Sequence, residues 1–397
     1  MSEAGQEEMP GRPARHRWLL RGVAAAAVVA LLAGVAYAAL RPRQGSTVAE
    51  PSGAPTPSPS ASPTPSPLPE PGADITGPLN ILLVGIDTRI SVPSWQPHAD
   101  AVMIMHIPEA LDRAYLFSLP RDLIVEIPAF PKAQFSGQRT KLTHAMSYGS
   151  RVPGKPNSPD TAQGLELLAT TVSSYTKIRQ FDAAAVVTFQ GLQRLVDALG
   201  GVDLYIDQRV VSRHRQPNGK HRAPGHGGYV GPQMVYEKGM HHLTGWQAVD
   251  YARQRYITGG TYARERHHQQ LIKAIVGKLL DQELVRDPAR LGAVLQTLGK
   301  TLTFDGGDQS VIDFAFALSG LRPEAITLVS LPGYGVGTGN SYRGEELNEV
   351  GRKFIAELRA GRADTFLAAH PDLVVPDPPP LTQESRTPDR GRPAADS

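Results

Sequence analysis

Five polar residues stand where apolar runs end. Asn80-Ile-Leu-Leu-Val-Gly85 leads into Asp87 and Arg89, Asp100 directly precedes Ala101 to Ile107, and Arg121 and Asp122 follow Phe117-Ser-Leu119. In layered α/β folds, ligands gather where strands end and loops begin. Asp87 and Asp100 are hard oxygen donors of the kind Mg²⁺ takes. That ion commonly uses one or two carboxylates and completes its shell with water and substrate phosphates. Taken singly, each aspartate reads better as an ordinary loop or capping residue. Their company with Arg89 and Arg121 is what points to chemistry.

A second polar group lies further along the chain. It comprises Tyr251-Ala-Arg253-Gln-Arg255-Tyr256 and then Tyr262-Ala-Arg264-Glu-Arg266-His267-His268-Gln269. Arg253 and Arg255 share a face if extended; Arg264 and His268 share one if helical. Guanidinium forks bind phosphate oxygens in pairs and stay charged. A helix beginning near Tyr262 also turns its N-terminal dipole toward an anion. The bland alternative for such a run is a solvated basic face. Taken with the aspartates, it suits pyrophosphate chemistry, in which metal and guanidinium groups neutralise the transferring and leaving phosphates. An acceptor hydroxyl would then need a carboxylate base, and Asp87 and Asp122 are both candidates.

Other chemistries find less support. Leu331 to Asn340 is Gly-rich but lacks the Gly-Lys-Ser/Thr ending of a phosphate loop, so it reads as a turn. His241-His242 and His267-His268 do not form a His-Glu-x-x-His zinc pattern, and no Gly-x-Ser-x-Gly elbow occurs. The absence of cysteine removes disulfides, thiolate metal sites and Cys nucleophiles together. Lys and Arg total 41 against 38 Asp and Glu. That balance argues against a bulk nucleic-acid face, and no nucleic-acid partner is expected.

The elements that must position these residues alternate between strand and helix. Asn80–Gly85 and Ala101–Ile107 are near-continuous apolar runs, as in strands covered on both faces. Residues 114–119, 123–127, 183–189, 202–206 and 325–331 read as further strands. Helices are expected over 161–175, 190–199, 244–252, from Tyr262 past Leu279, and over 345–358. Thr244-Gly-Trp-Gln247 has the form of a capping box. The expected architecture is α/β, a mixed central sheet with helices on both faces.

Outside that domain the composition changes. Residues 22–40 are uncharged and almost wholly apolar, and roughly 20 such residues span a bilayer. Arg12, Arg15, Arg17 and Arg21 precede the segment and only Arg41 and Arg43 follow closely, which keeps the N-terminus cytoplasmic. Residues 1–21 are then a cytoplasmic tail and 22–40 a single-pass anchor, with a signal peptide cut after Ala36-Tyr37-Ala38 as the alternative. Residues 41–73 alternate Pro with Ser, Thr and Ala, and read as an extended extracytoplasmic stalk. The folded domain is expected over 74–370 and a disordered tail over 371–397.

As a set, these motifs resemble the LytR-CpsA-Psr family closely. The resemblance rests on Asn80 to Arg89, His98-Ala-Asp100-Ala-Val-Met, Ser118-Leu-Pro-Arg121-Asp122, Lys141-Leu-Thr-His-Ala, Leu199-Gly-Gly-Val-Asp203, Lys238 to Gly245, Tyr251 to Arg255 and Arg264 to Gln270. They run in the family's order over roughly residues 78–280. The resemblance implies an α-β-α sandwich whose sheet and helices enclose a tunnel for a polyprenyl chain. It implies Mg²⁺-dependent transfer of a phosphoglycan from a polyprenyl-pyrophosphate carrier to peptidoglycan, at the membrane. By matching position, Asp87 and Asp100 become metal ligands. Arg89, Arg121, Arg253, Arg255 and Arg264 become pyrophosphate clamps, with Lys141 and Gln269 nearby.

Several positions depart from the family pattern. His98-Ala99-Asp100 stands where Arg-Ser-Asp is usual, Thr143 where Asn is, and Gly260-Thr261 where Gly-Asp is. His267 and His268 stand where Arg and Gln are usual. These changes bear on turnover and on substrate choice. Two other functions fit the same residues: a pyrophosphatase using water as acceptor, and a scaffold that binds lipid or wall without turnover.

Overall fold

The computed structural model describes residues 71–88, 92, 94–226, 228–281, 284 and 287–378. Arg89, the expected anchor, nearly all of the expected stalk and most of the expected tail lie outside the described residues. Among the described residues no helix is long and apolar enough to cross a membrane.

The apolar runs form a six-stranded mixed sheet. Its strands are β1 (Leu79–Asp87), β2 (His98–Ile107), β3 (Ala114–Leu119), β6 (Ala183–Thr188), β13 (Leu302–Asp305) and β14 (Ile326–Val329), in the order β13-β6-β1-β2-β3-β14. β1 runs parallel to β6 and antiparallel to β2, while β3 runs parallel to β14. Side chains alternate across a strand, so each strand feeds two cores. Leu79, Ile81, Leu83, Met103, Met105 and Leu116 enter one; Leu82, Val84, Ile86, Ile104 and Phe117 enter the other. That double covering is why the runs read as continuously apolar.

Helices cover both faces. α1 (Thr143–Gly149), α2 (Thr161–Thr176), α8 (Glu349–Arg359) and α9 (Ala363–Ala369) close the second core. The first is closed by α3 (Phe189–Ala198), α4 (Gly245–Arg253), α5 (Gly260–Asp281), α6 (Pro288–Leu298) and α7 (Val311–Ala317). Local chemistry sets their starts. Asp160 and Thr188 accept the N–H groups of Gln163 and Gly191, and Gln247 Oε1 accepts the Thr244 N–H at 2.9 Å.

Between β7 (Val202–Ile206) and its antiparallel partner β12 (Gly239–Leu243), the chain makes an excursion. This lobe holds the short pairs β8 (Val210–Val211) with β11 (Val235–Tyr236) and β9 (Ala223–Gly225) with β10 (Gly228–Val230). A further hairpin, β4 (Ile124–Ile127) with β5 (Gln138–Lys141), sets Lys141 opposite Ile124.

Two expectations need correction. The helix expected from Glu345 begins at Glu349, because Gly344–Leu347 is strand β16. It pairs with β15 (Gly333–Val336), and the Glu345 N–H bonds to the Asp122 carbonyl at 2.8 Å. The Gly-rich stretch is therefore half of a hairpin. The domain also continues beyond His370, where the tail was expected. Leu373 and Val375 are buried, and the Val375 N–H bonds to the Leu328 carbonyl at 2.9 Å, covering β14.

Candidate functional site

The C-terminal ends of β1, β3 and β6 and the start of β2 meet at one edge of the sheet. Asp87 lies opposite His98 in the β1–β2 ladder, whose register shifts between Gly85 and Ile86. Gly85 faces Ala101 and Ile86 faces Ala99, so Asp100 is the extra residue of a β-bulge. A bulge re-aims a side chain that strict alternation would send elsewhere. Asp100 is turned into the cleft, buried, and both guanidinium contacts it receives fall on Oδ1. One comes from Arg121 Nη1 and the other from Arg255 Nη2 at 3.4 Å.

Arg121 is fixed at both ends. Its carbonyl accepts the Thr143 N–H at 2.9 Å, and its Nε also reaches Asp122 Oδ1 at 3.4 Å. Lys141 Nζ stands 3.8 Å from the same oxygen and 4.7 Å over the Tyr342 ring. Asp122 and Lys141 thus sit just behind the cleft, while Asp87, Asp100 and Arg121 line it.

The opposite wall comes from the ends of α4 and α5. Buried Asp250 on α4 accepts from Ser212 Oγ at 3.0 Å, Tyr236 Oη at 2.9 Å and Gln254 Nε2 at 2.9 Å. Gln254 in turn accepts the Arg213 N–H at 3.1 Å. These bonds fasten the β7–β12 lobe to the segment carrying Arg253 and Arg255. The Arg253 guanidinium lies 4.2 Å over the Phe189 ring.

The first turns of α5 bury Arg264, Glu265, His267, His268 and Gln269. Each has a different destination. Arg264 faces the cleft, and its buried Nε has no hydrogen-bond partner among the described residues. His267 is fully enclosed, stacked on Tyr251 at 4.4 Å, with Nε2 3.1 Å from Asp207. Gln269 turns inward instead, donating to Ser118 Oγ at 3.0 Å and to the Val329 carbonyl at 3.1 Å. Gln269, expected near the pyrophosphate clamps, is not among the residues lining the cleft; it pins α5 to β3 and β14.

Six guanidinium groups and three carboxylates line the cleft, whose volume is about 750 Å³. Burial lowers the proton affinity of Arg264 to about 10, with neighbouring Arg255 adding to the effect, so the group stays charged at neutral pH. Burial and then Arg255 act in the same direction on Arg121. Burial brings His268 down to about 3 and keeps its imidazole neutral. Glu265 moves the other way, pushed up to about 8 by burial despite Arg264 alongside. At Asp207 burial favours the proton, but His267 and Arg266 prevail and hold the carboxyl at about 2. The arrangement is cationic, partly desolvated and suited to polyanionic phosphate.

Below the cleft, sharing Phe189, Val249 and His268 with it, an apolar space runs between the sheet and helices α3, α4 and α5. Leu83, Ala101, Met103, Leu271 and Ile272 line it. At about 40 Å³ it has room for a few water-sized groups.

The cleft also uses residues that the sequence reading did not single out, Trp95, Arg213, His214, Arg215 and Tyr229, and it gives Trp246 and Tyr256 a place in its wall. The signal for the lobe was the Arg213-His-Arg215 run in a segment with no apolar period. Of the departures from the family pattern, His98 and His268 face the cleft, whereas His267 is a core residue matched to Asp207. Thr143 is buried, and its hydroxyl has no hydrogen-bond partner among the described residues. Among the described residues, no group of three or more His, Asp or Glu is arranged to hold a metal. The two carboxylates at the sheet edge suit an ion that takes few protein ligands.

A doubly covered mixed sheet with an arginine-rich cleft at its edge defines the class, an α/β three-layer protein. The chain belongs to the LytR_cpsA_psr family, whose sequence profile it matches over residues 46–354. It is similar to the polyisoprenyl-teichoic acid–peptidoglycan teichoic acid transferase TagU of Enterococcus faecalis, 26% identical over 63% of this chain and 70% of that protein. It is also similar to the cell wall biosynthesis protein LcpA of Corynebacterium glutamicum, 23% identical over 64% of this chain and 50% of that one. The chain spans about half the length of most of the curated relatives it matches. In fold it is similar to the crystal structure of gbs0355 from Streptococcus agalactiae. There the TM-score is 0.55 at 21% identity, over 72% of this chain and 88% of that one.

Proposed function

We propose that this protein transfers a phosphoglycan from a polyprenyl-pyrophosphate carrier to a sugar hydroxyl of peptidoglycan. One observation carries the reading: Arg264 is a buried, charged guanidinium facing a cleft of five further arginines, with Nε unsatisfied. A buried guanidinium N–H without an acceptor is costly, and an anionic ligand supplies the missing one. The names of the relatives, teichoic acid transferase and cell wall biosynthesis protein, supply the substrate class.

In this reading Arg121, Arg253, Arg255 and Arg264 grip the two phosphates, and Arg89 joins them from outside the described residues. Asp87 and Asp100 hold Mg²⁺, which supplies charge neutralisation at the phosphates when bound. The acceptor oxygen attacks the phosphorus bonded to the glycan, and its proton passes to a carboxylate. Asp87 lines the cleft and Asp122 does not, which favours Asp87 as that base. The bond from phosphorus to the bridging oxygen breaks, and polyprenyl phosphate leaves. The lipid enters the apolar space beneath His268. Residues 22–40 anchor the chain and the Pro-rich stalk carries the domain into the wall.

The test incubates the full chain in detergent with a polyprenyl-pyrophosphate glycan, peptidoglycan and Mg²⁺. Linked polymer that disappears with Arg264→Ala and with Asp100→Ala is expected. Free phosphoglycan in place of linked polymer would instead mark water as the acceptor. Lipid bound without phosphate release, across several donors, would leave only a scaffold.

A further inference from the structure

The β7–β12 lobe and the neighbouring α4 segment carry aromatic rings that the phosphate grip does not use: Tyr229 on the lobe, Trp246 on α4 and Tyr256 just after it. Tyr256 is 81% exposed and Tyr229 41%, yet both line the cleft beside Arg253, Arg255 and Arg264. Single exposed aromatics are ordinary on a protein surface. Here the rings are held in prepared positions. The Arg213 guanidinium lies 4.4 Å over the Tyr256 ring, and His214 meets Tyr229 edge-on at 4.9 Å. Trp246 lines the same wall, with the turn at Gly219 packed against its indole. A Cβ at Gly219, whose φ is +79°, would lie 3.1 Å from that ring.

The frame around the rings is stiff. Arg222 donates to the Arg213 carbonyl at 2.9 Å, the Tyr229 carbonyl at 2.8 Å and the Gly231 carbonyl at 3.1 Å, tying the hairpin to the strand beneath it. Asp250 fastens the whole lobe to α4. Tyr229, on a hairpin tied down by these bonds, and Tyr256, backed by the Arg213 guanidinium, suit a ligand that has both an apolar face and polar edges.

We propose that Tyr256, Tyr229 and Trp246 form a saccharide subsite for the sugar bonded directly to the carrier's pyrophosphate. A pyranose ring presents C–H groups on its face, which meet the electron-rich face of an aromatic ring. Its hydroxyls meet the guanidinium and imidazole donors of Arg213, Arg215 and His214. The donor sugar is favoured over the acceptor by distance along the chain. It is one bond from a phosphate, and Tyr256 is the residue after Arg255. The attacking hydroxyl must come in line with the leaving oxygen, away from that side. The inference rests on the pyrophosphate reading above.

The experiment measures binding to the full chain in detergent with three probes: inorganic pyrophosphate, a short-prenyl pyrophosphate, and the same prenyl pyrophosphate bearing N-acetylglucosamine. Tyr256→Ala and Tyr229→Ala should each weaken the sugar-bearing probe roughly 3- to 10-fold. The other two probes should be unaffected, and Tyr256→Phe should behave as wild type. Equal weakening of the sugar-free lipid, or no weakening of the sugar-bearing one, would overturn the subsite. Tyrosine-dependent binding of the sugar-bearing probe without any binding of inorganic pyrophosphate would unseat the phosphate grip and keep the saccharide subsite.

Discussion

The two faces of the sheet are built from the same strands but end differently. On the face covered by α1, α2, α8 and α9, apolar contact continues to the strand ends beside the cleft, at Ile86, Ala99 and Leu119. Phe117 meets Phe354 edge-on at 5.6 Å, and Phe366 follows at 6.3 Å. On the face covered by α3 to α7, the apolar stripe of α5 occupies only its later turns, from Leu271 to Leu279. Its first turns carry Arg264, Glu265, His267, His268 and Gln269 over the strand ends. One face therefore stores stability, and the other gives up apolar packing at its edge to hold charge.

The largest effect should come from the charged edge. Arg264→Ala is expected to cut polymer transfer about 100- to 1,000-fold, the usual scale for removing one preorganised charge from a transition state. The same change should raise the melting temperature by roughly 2–4 °C, because an uncompensated buried charge is gone. Transfer rates and thermal melts on the same preparation check both halves. A variant that stays active would move the phosphate grip away from α5.

The closed face should respond in the opposite sense. Phe354→Ala leaves a void between Phe117 and Phe366, and is expected to cost about 3–5 kcal/mol of unfolding free energy. Denaturant titration measures the loss, and KM at a temperature where the variant is folded should match wild type. A changed KM would mean that the two faces are coupled through the sheet.

Asp250→Ala tests the fastening between lobe and α4. It leaves Ser212, Tyr236 and Gln254 without their shared acceptor, at a cost of about 1–3 kcal/mol. Proteolysis between β8 and β11 should accelerate, with a fall in kcat/KM. Unchanged cleavage in that segment would show that the lobe is held by other contacts.

The smallest effect is one of pH. Glu265 has a folded pKa of about 8, above its ordinary value near 4.5. Its contribution to stability is full below about 4.5 and is lost as pH rises through 8. His268 acts in reverse, with a folded value near 3 and stability lost as pH falls from about 6.5. Thermal melts of Glu265→Gln should show a flatter decline between pH 5 and pH 8.5 than wild type. An equal decline in both proteins would exonerate Glu265.

Much of this protein was legible in the chain itself. Short continuous apolar runs bounded by Gly and polar residues suit strands covered twice better than helices, so the three layers followed from run length and pattern. Thr244 and Gln247 fixed a helix start through bonds three residues apart, a distance sequence reads well. The clustering of Asp87, Asp100, Arg121, Arg253, Arg255 and Arg264 followed from motif and family pattern. Three features were decided only by tertiary structure. The bulge aiming Asp100 depends on the register of β1 against β2, which no local preference sets. His267 became a core residue because Asp207, sixty positions earlier, comes to meet it. Gln269 left the cleft because Ser118 and Val329 offered partners that only the packing of α5 on the sheet supplies. Periodicity tells which face of an element is apolar; what a polar side chain bonds to depends on whichever distant element arrives opposite it.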